Sequence, residues 1–492
     1  MRNLIFRPEQ YRATVDTPTP IVDITDFFPR TDGKVLAKFE GAFPNGGSVK
    51  DRIAYQMIRD GYNSGQISRS VTKIDEGGAR RVVTPGTLLC EGTSGNTGLG
   101  LARWGALLGH QVALAIPRKM DESKVAMLRA YGARVFVVPT EAGHNHPNSY
   151  TGVAKRLAYE LEGFYTNQHN NPSNARAHEL TTGPEIWAQT EGKVTYLVAG
   201  QGTGGTITGT ARYLRSQNPN VRVIAVDPVG SPVKFMFDYW KEHGQDPPQA
   251  EIAKRDGSYK VEGIGMDHHT KNLDFTLLTE VVSIPDEAAF ANALNFIDLS
   301  GRDVGGSSGA ALAAMRQLAP SLGILDVAVV ILPDLGNQYL ERFMNQEWMK
   351  QNGFVGEGQE LSIADLVRRK NVPGIVSVSL DDTVERAMYL MEENKFGQLP
   401  VTREGDLTYA SVTLEGLRNL DLSPLGKRLK LREVVHLDRD VPGYKPFPVL
   451  PETGASRKDL EDALFTHPAV LIRDENGQIT SLLTIADQLE LI

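Results

Sequence analysis

Residues 38–52 read KFEGAFPNGGSVKDR, a turn-rich run in which one lysine, Lys50, follows Gly46, Gly47 and Ser48. The next stretch, DRIAYQMIRDGY, places Ile53, Met57 and Ile58 at helical spacing. A lysine at the mouth of a helix faces the positive end of the helix dipole, which favours the neutral amine and so a nucleophile or a Schiff-base former. The same placement also fits a phosphate-binding turn in which Lys50 is a counter-charge. This stretch alone leaves both readings open.

Around it the chain alternates between buried strands and helices. TPTPIVDI (17–24) reads as a proline-punctuated entry into a short strand, and VLAKFE (35–40) as a second apolar strand that delivers the chain to the Lys50 turn. From TLLCEG onward the pattern predicts strands at 87–90, 111–116 and 134–138, with helices at 97–108 and 121–131. It returns at VTYLVAG (194–200), GTARYLRSQ (209–217) and VRVIAVDP (221–228). Val-, Ile- and Leu-rich strands joined by helices imply βαβ units, hence an α/β core with parallel sheet covered on both faces. Residues 68–86, polar and glycine-containing, read as a surface excursion.

The 492 residues exceed one ordinary core, so two or three domains are expected. Hydrophobic residues at 41% and charged residues at 23% are a globular composition. A net charge of −8 with no long Lys/Arg run argues against nucleic acid. The single cysteine, Cys90, leaves no intrachain disulfide, points to a reducing compartment, and reads as a buried strand residue. MRNLIFRPEQYR lacks an apolar targeting core and no later window reaches membrane-span length, so a soluble, cytoplasmic protein is expected.

The pattern loosens between 345 and 375, where Gly353, Gly356 and Gly358 cluster. The expected division is a catalytic core at 1–348, a linker at 349–361 and a C-terminal module at 362–492. Within that module DDTVERAMYLMEEN and LPVTREGDLTYASVT are echoed by SRKDLEDALFTH and AVLIRDENGQITSLLT, with Thr413 and Thr484 at matching points, 484 − 413 = 71 residues apart. Each copy predicts a helix opened by a cap (Asp382 with Glu385, Ser456 with Asp459) and then a hairpin turning at Gly405 or Asn476-Gly477. Neither small copy buries its apolar face alone, so the two are expected to pair.

Three glycine- and hydroxyl-rich turns carry the chemistry. AGQGTGGTITG (199–209) sets Gly200, Gly202 and Gly205 in G-x-G-x-x-G spacing after a strand, with Asp227 ending the next strand, as in a dinucleotide fingerprint. Its backbone N–H groups fit a monophosphate equally well, and Thr203 and Thr206 add hydroxyl donors. EGTSGNTG (91–98) gathers Thr93, Ser94, Asn96 and Thr97 at a helix start, either a carboxylate grip or an N-capping turn. VGGSSGAALAA places Ser307 and Ser308 at another helix start. One phosphate cradle, one carboxylate cradle, one amine and one hydroxyl are what pyridoxal phosphate bound to an amino acid requires.

GGSVKDR, EGTSGNTGLGLA, GTGGTITG, VEGIG, GGSSG and LPD, in that order over roughly residues 15–350, resemble the fold-type II pyridoxal-phosphate enzymes of the cysteine synthase/cystathionine β-synthase family. HNHPNSYTGVAKRLA, AVDPVGSP, YKVEGIGMD and ERFMNQEWMKQNGF are similar to its cystathionine β-synthase branch, and the C-terminal repeats resemble that branch's tandem regulatory module. The resemblance implies two parallel-sheet subdomains and a β-replacement that makes cystathionine from serine, or an activated serine, and homocysteine. The alternative within the family is cysteine synthesis from O-acetylserine or O-phosphoserine and sulfide.

The resemblance further implies that Lys50 carries the cofactor and Asn96 contacts its ring hydroxyl. Gly202, Thr203, Gly204, Gly205 and Thr206 would hold the phosphate, and Ser307 would face the ring nitrogen. Thr93, Ser94, Gly95, Thr97 and Gln168 would hold the substrate carboxylate. A homodimer or homotetramer is implied; in the C-terminal module Thr484 and Asp487 fit a site for S-adenosylmethionine or an adenine nucleotide, a purely structural role for the module being the open alternative, and Gly416 stands where the first repeat would need the matching acid. Phe43-Pro44-Asn45-Gly46-Gly47 is one residue longer than the family's pattern, and His169 and Met266 stand where the branch often carries tyrosine. No haem is implied, since no His precedes His110 and Cys90 lies inside the core. No metal is expected either: His144/His146 and His268/His269 come without cysteines or helical i, i+4 placement. Two readings of other classes stay open, a nicotinamide-dependent oxidoreductase using the Gly200 loop and a non-catalytic adenosine sensor.

Overall fold

Runs of Val, Ile, Leu and Ala become parallel strands; the EGTSGNTG and GTGGT turns each follow such a strand, one in each of two sheets, while the GGSSG turn links two helices. The computed structural model describes residues 17–484 apart from 29–30, 44–45, 70, 75–80, 94, 119, 140–145, 355–362, 365–366, 368–374, 395, 419, 421–425 and 436–445. The chain divides between Val355 and Gly356 into two units.

The strands of the first unit are β1 (Ile21–Asp23), β2 (Lys34–Phe39), β3 (Val71–Ile74), β4 (Arg81–Thr84), β5 (Gly86–Gly92), β6 (His110–Pro117), β7 (Arg134–Val138), β8 (Phe164–Tyr165), β9 (Tyr196–Gly200), β10 (Arg222–Pro228), β11 (Glu280–Ile284) and β12 (Val327–Leu332). Its helices are α1 (Lys50–Asn63), α2 (Asn96–Leu108), α3 (Glu122–Ala130), α4 (Tyr150–Glu160), α5 (Ser173–Leu180), α6 (Thr182–Gln189), α7 (Gly205–Gln217), α8 (Val233–His243), α9 (Gln249–Ala253), α10 (Asp286–Ser300), α11 (Gly306–Leu318) and α12 (Gln346–Gln351). The larger sheet runs β1-β2-β12-β9-β10-β11, parallel except where β1 meets β2. The smaller runs β7-β6-β5-β8 and is parallel throughout.

Both faces of the larger sheet are buried. Val198 and Val330 pack on one side with α10 and α11, while Leu197, Val329 and Ile331 pack on the other with α7 and α8. Each such Val, Leu or Ile is worth about 1.5–3 kcal/mol relative to exposure. In the smaller sheet Leu114 and Ile116 pack against Leu101 and Trp104 of α2 and against Ile53, Met57 and Ile58 of α1. Gly100 lets those helices approach, since a Cβ there would lie 3.0 Å from the Lys50 carbonyl. Helix α1 thus packs with the smaller sheet, while the residue just before it is tied to the larger one: Val49 N–H donates to the Pro333 carbonyl (2.8 Å) just after β12.

A buried ionic cluster anchors the same segment. Arg52 donates to both carboxylate oxygens of Glu40 (2.6 and 2.9 Å) and of Glu185 (2.6 and 2.8 Å), and to Thr19 Oγ1 (3.0 Å). Lys38 Nζ completes it on Glu185 (2.6 Å). Burial alone would raise the Glu40 carboxyl; the charge and hydrogen bonds of Arg52 overcome it and hold the group down at about 2.

Most element boundaries lie within one or two residues of the sequence expectations, but helix α7 begins at Gly205 rather than at 209, and one stretch holds structure the sequence did not announce. The supposed excursion at 68–86 contains an antiparallel hairpin, β3 with β4, registered Val71 to Thr84. VTKI and RVVT are β-branched runs, and the charged and glycine residues between them masked that signal. At the end of the unit Trp348 and Phe354 pack their rings around Phe290.

In the second unit β13 (Val378–Ser379), α13 (Val384–Asn394), β14 (Gln398–Arg403) and β15 (Asp406–Thr413) are matched by β16 (Val449–Pro451), α14 (Arg457–Thr466), β17 (Ala469–Arg473) and β18 (Ile479–Thr484). In each copy the first strand is parallel to the second and the second antiparallel to the third. Register breaks at Val401 and Ile472 keep the 71-residue offset, 472 − 401. Ser456 and Asp459 form the expected capping box. The first copy departs: Thr383 Oγ1 takes the Arg386 N–H (3.1 Å), and Asp382 instead accepts from Ser379 N–H (2.7 Å).

Candidate active site

β2, β9 and β12 are parallel neighbours, so the segments that follow them meet at one edge of the larger sheet, where open α/β sheets bind ligands. Lys50 lies there in a cleft with about 380 Å³ of empty volume, facing Gly200, Gly202, Thr206, Gly263 and Pro333. Burial pulls its amine from 10.5 down to about 8, against the opposing charges of Asp334 and Glu40. The direction is the one expected at a helix mouth, but burial is the leading cause.

The glycines after β9 are set by close approach. A Cβ on Gly202 would lie 2.8 Å from the Gly263 carbonyl, and one on Gly205 would overlap Asn174 Oδ1 at 1.9 Å; Gly204 has φ +82°. Helix α7 starts at Gly205, so this shallow backbone presents N–H groups of a helix start to the cleft, a cradle that suits one phosphate. Behind it Thr206 Oγ1 pairs with His178 Nε2 (3.1 Å), and burial first, then the Arg52 charge, push His178 down to about 3, leaving it neutral. Asp227 does not serve a ribose: it accepts from Gln201 Nε2 (2.7 Å) and from the Lys234 N–H at the start of α8 (3.2 Å), and is fully buried. The dinucleotide reading loses its acid.

Across the cleft Asn96 opens α2 and donates from Nδ2 to Asp334 Oδ2 (2.7 Å), which also takes the Tyr339 hydroxyl (2.6 Å). Asp334 bridges to Ser48, two residues before Lys50. Burial raises its carboxyl, and Asn96 Oδ1 and Asp334 Oδ1 have no hydrogen-bond partner among the described residues. A polar ring substituent suits such a place, so the residues present fit pyridoxal phosphate: an amine of lowered basicity, a phosphate-sized cradle and orphaned polar atoms between them. Ser307, 2% exposed in the first turn of α11, has its Oγ beside Gly263, 3.9 Å from where a Cβ would stand.

Of the expected carboxylate grip, Thr97 Oγ1 donates to Gln168 Oε1 (2.5 Å) and Gly95 N–H to Thr93 Oγ1 (3.2 Å); Ser94 lies outside the described residues. Gln168 is held from behind: Asn174 and Asn272 both donate to its carbonyl (2.7 and 2.8 Å), and its N–H donates to Glu91 (3.0 Å). Glu91 is fully buried and pushed up to about 7. Cys90 beside it is a buried strand residue, its thiol raised to about 12 by burial.

The profile of the pyridoxal-phosphate dependent enzymes matches residues 13–334, and that of the CBS domain matches residues 363–420. The chain belongs to the pyridoxal-phosphate dependent enzymes. A cystathionine β-synthase of Dictyostelium discoideum is 34% identical over 409 residues, 81% of this chain and 76% of that protein. One from Apis mellifera is 38% identical over 341 residues, 68% of this chain and 62% of that protein. Cysteine synthase 1 of Neurospora crassa is 34% identical over 342 residues, 69% and 84% of the two chains. The crystal structure of an O-ureido-L-serine synthase superposes with TM-score 0.56 at 27% identity, covering 67% of this chain and 94% of that one.

Within this pyridoxal-phosphate enzyme, sequence reading missed the residues that hold the site rather than line it: Glu91, Asn174, His178, Asn272 and Tyr339. Asp334 was visible in LPD but had no role. His268 and His269 turn to different partners, Asp267 and Asp246, and no group of three His, Cys, Asp or Glu side chains converges among the described residues. No helix there is long and apolar enough to cross a membrane. In the C-terminal unit Thr413 Oγ1 takes the Gly416 N–H (3.0 Å); Thr484 ends β18, and Asp487 lies outside the described residues.

Proposed function

We propose that the chain forms cystathionine by β-replacement, from L-serine or a serine activated at its hydroxyl and L-homocysteine. One observation carries the reading: Lys50, its amine lowered to about 8, shares a cleft with the glycine cradle in a chain whose relatives include cystathionine β-synthases. Pyridoxal phosphate, when bound, draws electrons from the substrate so that the α-proton and then the β-substituent can leave.

Lys50 would hold the cofactor, and its freed amine would take the α-proton and later return it. The N–H groups from Gly202 to Thr206 hold the phosphate, with Thr203 and Thr206 hydroxyls beside them. Asn96, steadied by Asp334, meets the ring hydroxyl. Ser307 would offer the ring nitrogen a neutral hydroxyl, which would not force that nitrogen to stay protonated and so would favour β-elimination over transamination. Thr93, Ser94, Gly95, Thr97 and Gln168 hold the substrate carboxylate. The reading places residues 1–348 in the catalytic core and 362–492 in a regulatory module taking an adenosyl ligand near Thr484 and Asp487, in a cytoplasmic homo-oligomer.

Cysteine synthesis from an activated serine and sulfide is the second reading, supported by the cysteine synthase relatives. The purified, cofactor-loaded protein, offered serine, O-acetylserine or O-phosphoserine, each with homocysteine or sulfide, decides by mass spectrometry. Dominant cystathionine from serine supports the first reading, and dominant cysteine replaces it with the second.

A further inference from the structure

A hydroxyl helps to hold a phosphate only if its proton points at the phosphate, and behind the glycine cradle the structure contains a device that sets this direction. Helix α5 packs on α7, and glycine permits the approach: a Cβ on Gly209 would lie 1.9 Å from the Ala175 carbonyl oxygen and 2.9 Å from His178 Cβ. The last turn of α5 thereby brings the His178 ring against Thr206, the second residue of α7 and part of the wall of the Lys50 cleft.

The ring lies between two hydroxyls. Its Nδ1 is 2.9 Å from Oγ1 of Thr182, the first residue of α6, and its Nε2 is 3.1 Å from Thr206 Oγ1. His178 and Thr182 are fully buried, and Thr206 is 9% exposed. Neither hydroxyl has another hydrogen-bond partner among the described residues. The ring is neutral: burial first, and then the Arg52 charge, hold it down at about 3, with Lys50 acting the same way and Glu40 against them.

A neutral imidazole donates from one nitrogen and accepts at the other, so two directions are open. With the proton on Nδ1, the ring donates to Thr182, whose own buried proton is left without an acceptor, while Thr206 spends its proton on Nε2. With the proton on Nε2, Thr182 donates to Nδ1 and the ring donates to Thr206 Oγ1. The one spare proton in the chain is then that of Thr206, beside the cleft, where an anion accepts it. A buried donor without a partner costs the full desolvation of the group, so the second direction is favoured. Asn174, earlier in α5, treats the other hydroxyl of the cradle alike: its Nδ2 donates to Thr203 Oγ1 (3.0 Å) and leaves that proton free.

We propose that His178, held by Thr182 with its proton on Nε2, is a positioning residue that turns the Thr206 hydroxyl toward the cofactor phosphate. Neither His178 nor Thr182 touches the cofactor. The inference rests on the reading of the turn from Gly202 to Thr206 as the phosphate cradle and is independent of which thiol the enzyme uses.

The test uses the full-length protein, stripped of cofactor and titrated with pyridoxal phosphate or with pyridoxal, which lacks the phosphate. Thr206→Val weakens pyridoxal phosphate about 10–100-fold, the loss of one hydrogen bond to a charged group. His178→Asn, whose shorter side chain no longer reaches Thr206, weakens it about tenfold, and His178→Gln, which keeps an N–H at that reach, retains most of the affinity. Adding His178→Asn to Thr206→Val changes it less than about twofold, because a residue that acts through the Thr206 hydroxyl has nothing left to act through. Pyridoxal binding is the same in all of them. The phosphorus resonance of the bound cofactor moves in His178→Asn and stays in His178→Gln. In the loaded wild type, nitrogen NMR of the labelled histidines, with His178 assigned by its loss in either variant, shows a proton on Nε2 and none on Nδ1.

A proton on Nδ1 or on both nitrogens, additive losses in the double variant, or an equal loss of pyridoxal overturns the assignment; the wild-type nitrogen signals decide the tautomer whether or not the double variant folds. Wild-type protein that binds pyridoxal as tightly as pyridoxal phosphate overturns the phosphate-cradle reading instead, and the inference falls with it.

Discussion

Lys50→Met should make the cofactor-free protein more stable, although it removes the lysine on which the proposed chemistry depends. Burial takes the amine from 10.5 to about 8. At about 1.36 kcal/mol per factor of ten in the proton equilibrium, the folded chain pays about 3 kcal/mol to hold the ammonium there. The sign follows from linkage. Between pH 8 and 10.5 the unfolded chain binds the proton and the folded chain does not, so stability rises with pH through that window and the full cost is present below it. Methionine matches the length without the charge. Asp334 loses a neighbouring cation in the exchange and its carboxyl, already raised by burial, protonates more readily, which trims the expected gain at pH 7 to about 1–3 kcal/mol. Urea unfolding of both proteins from pH 6 to 11 measures it, with the denaturant slope as a check on the unfolded state. The gain should fade as pH passes about 8 and vanish near 10.5. Equal or lower stability of Lys50→Met at pH 7 with the same slope, or a difference independent of pH, refutes the reasoning.

Arg52→Met should cost about 3–5 kcal/mol, because it leaves Glu40 buried and charged without its partner; a lowered urea midpoint measures it. The wild-type contribution of Glu40 is present above pH 4.5 and lost as pH falls toward about 2, so the deficit of the variant should shrink in acid. Gly205→Ala should drive a methyl into Asn174 Oδ1 and deform the cradle, lowering cofactor affinity at least about tenfold, about 1.4 kcal/mol, by equilibrium dialysis. Asp334→Asn removes the charge that holds Asn96 and should slow turnover about 10–100-fold, the 1.5–3 kcal/mol typical of hydrogen bonds to charged groups, with Asn96→Ala adding little to it.

The backbone of this protein was legible where one period dominated. β9 and β10 read as apolar runs because both faces of the larger sheet are buried, and the glycine turns read as turns because backbone, carbonyl or side chain leaves no room for a Cβ. What stayed hidden was the layer behind the site. Glu91, Asn174, His178 and Asp334 are polar residues whose partners lie 77, 29, 28 and 238 positions away, and no local pattern announces a hydrogen bond across such distances. The G-x-G-x-x-G spacing shows the limit most plainly. Glycine spacing states how closely a backbone approaches its neighbours and that N–H groups face outward; it does not state which anion they hold. The decision came from Asp227, which the sequence set in the position of a ribose acid and the fold turned inward to Gln201 and to the start of α8. A carboxylate committed to capping the next helix has no reach toward a ribose, so the same glycines that would hold a pyrophosphate are left with a single phosphate beside Lys50.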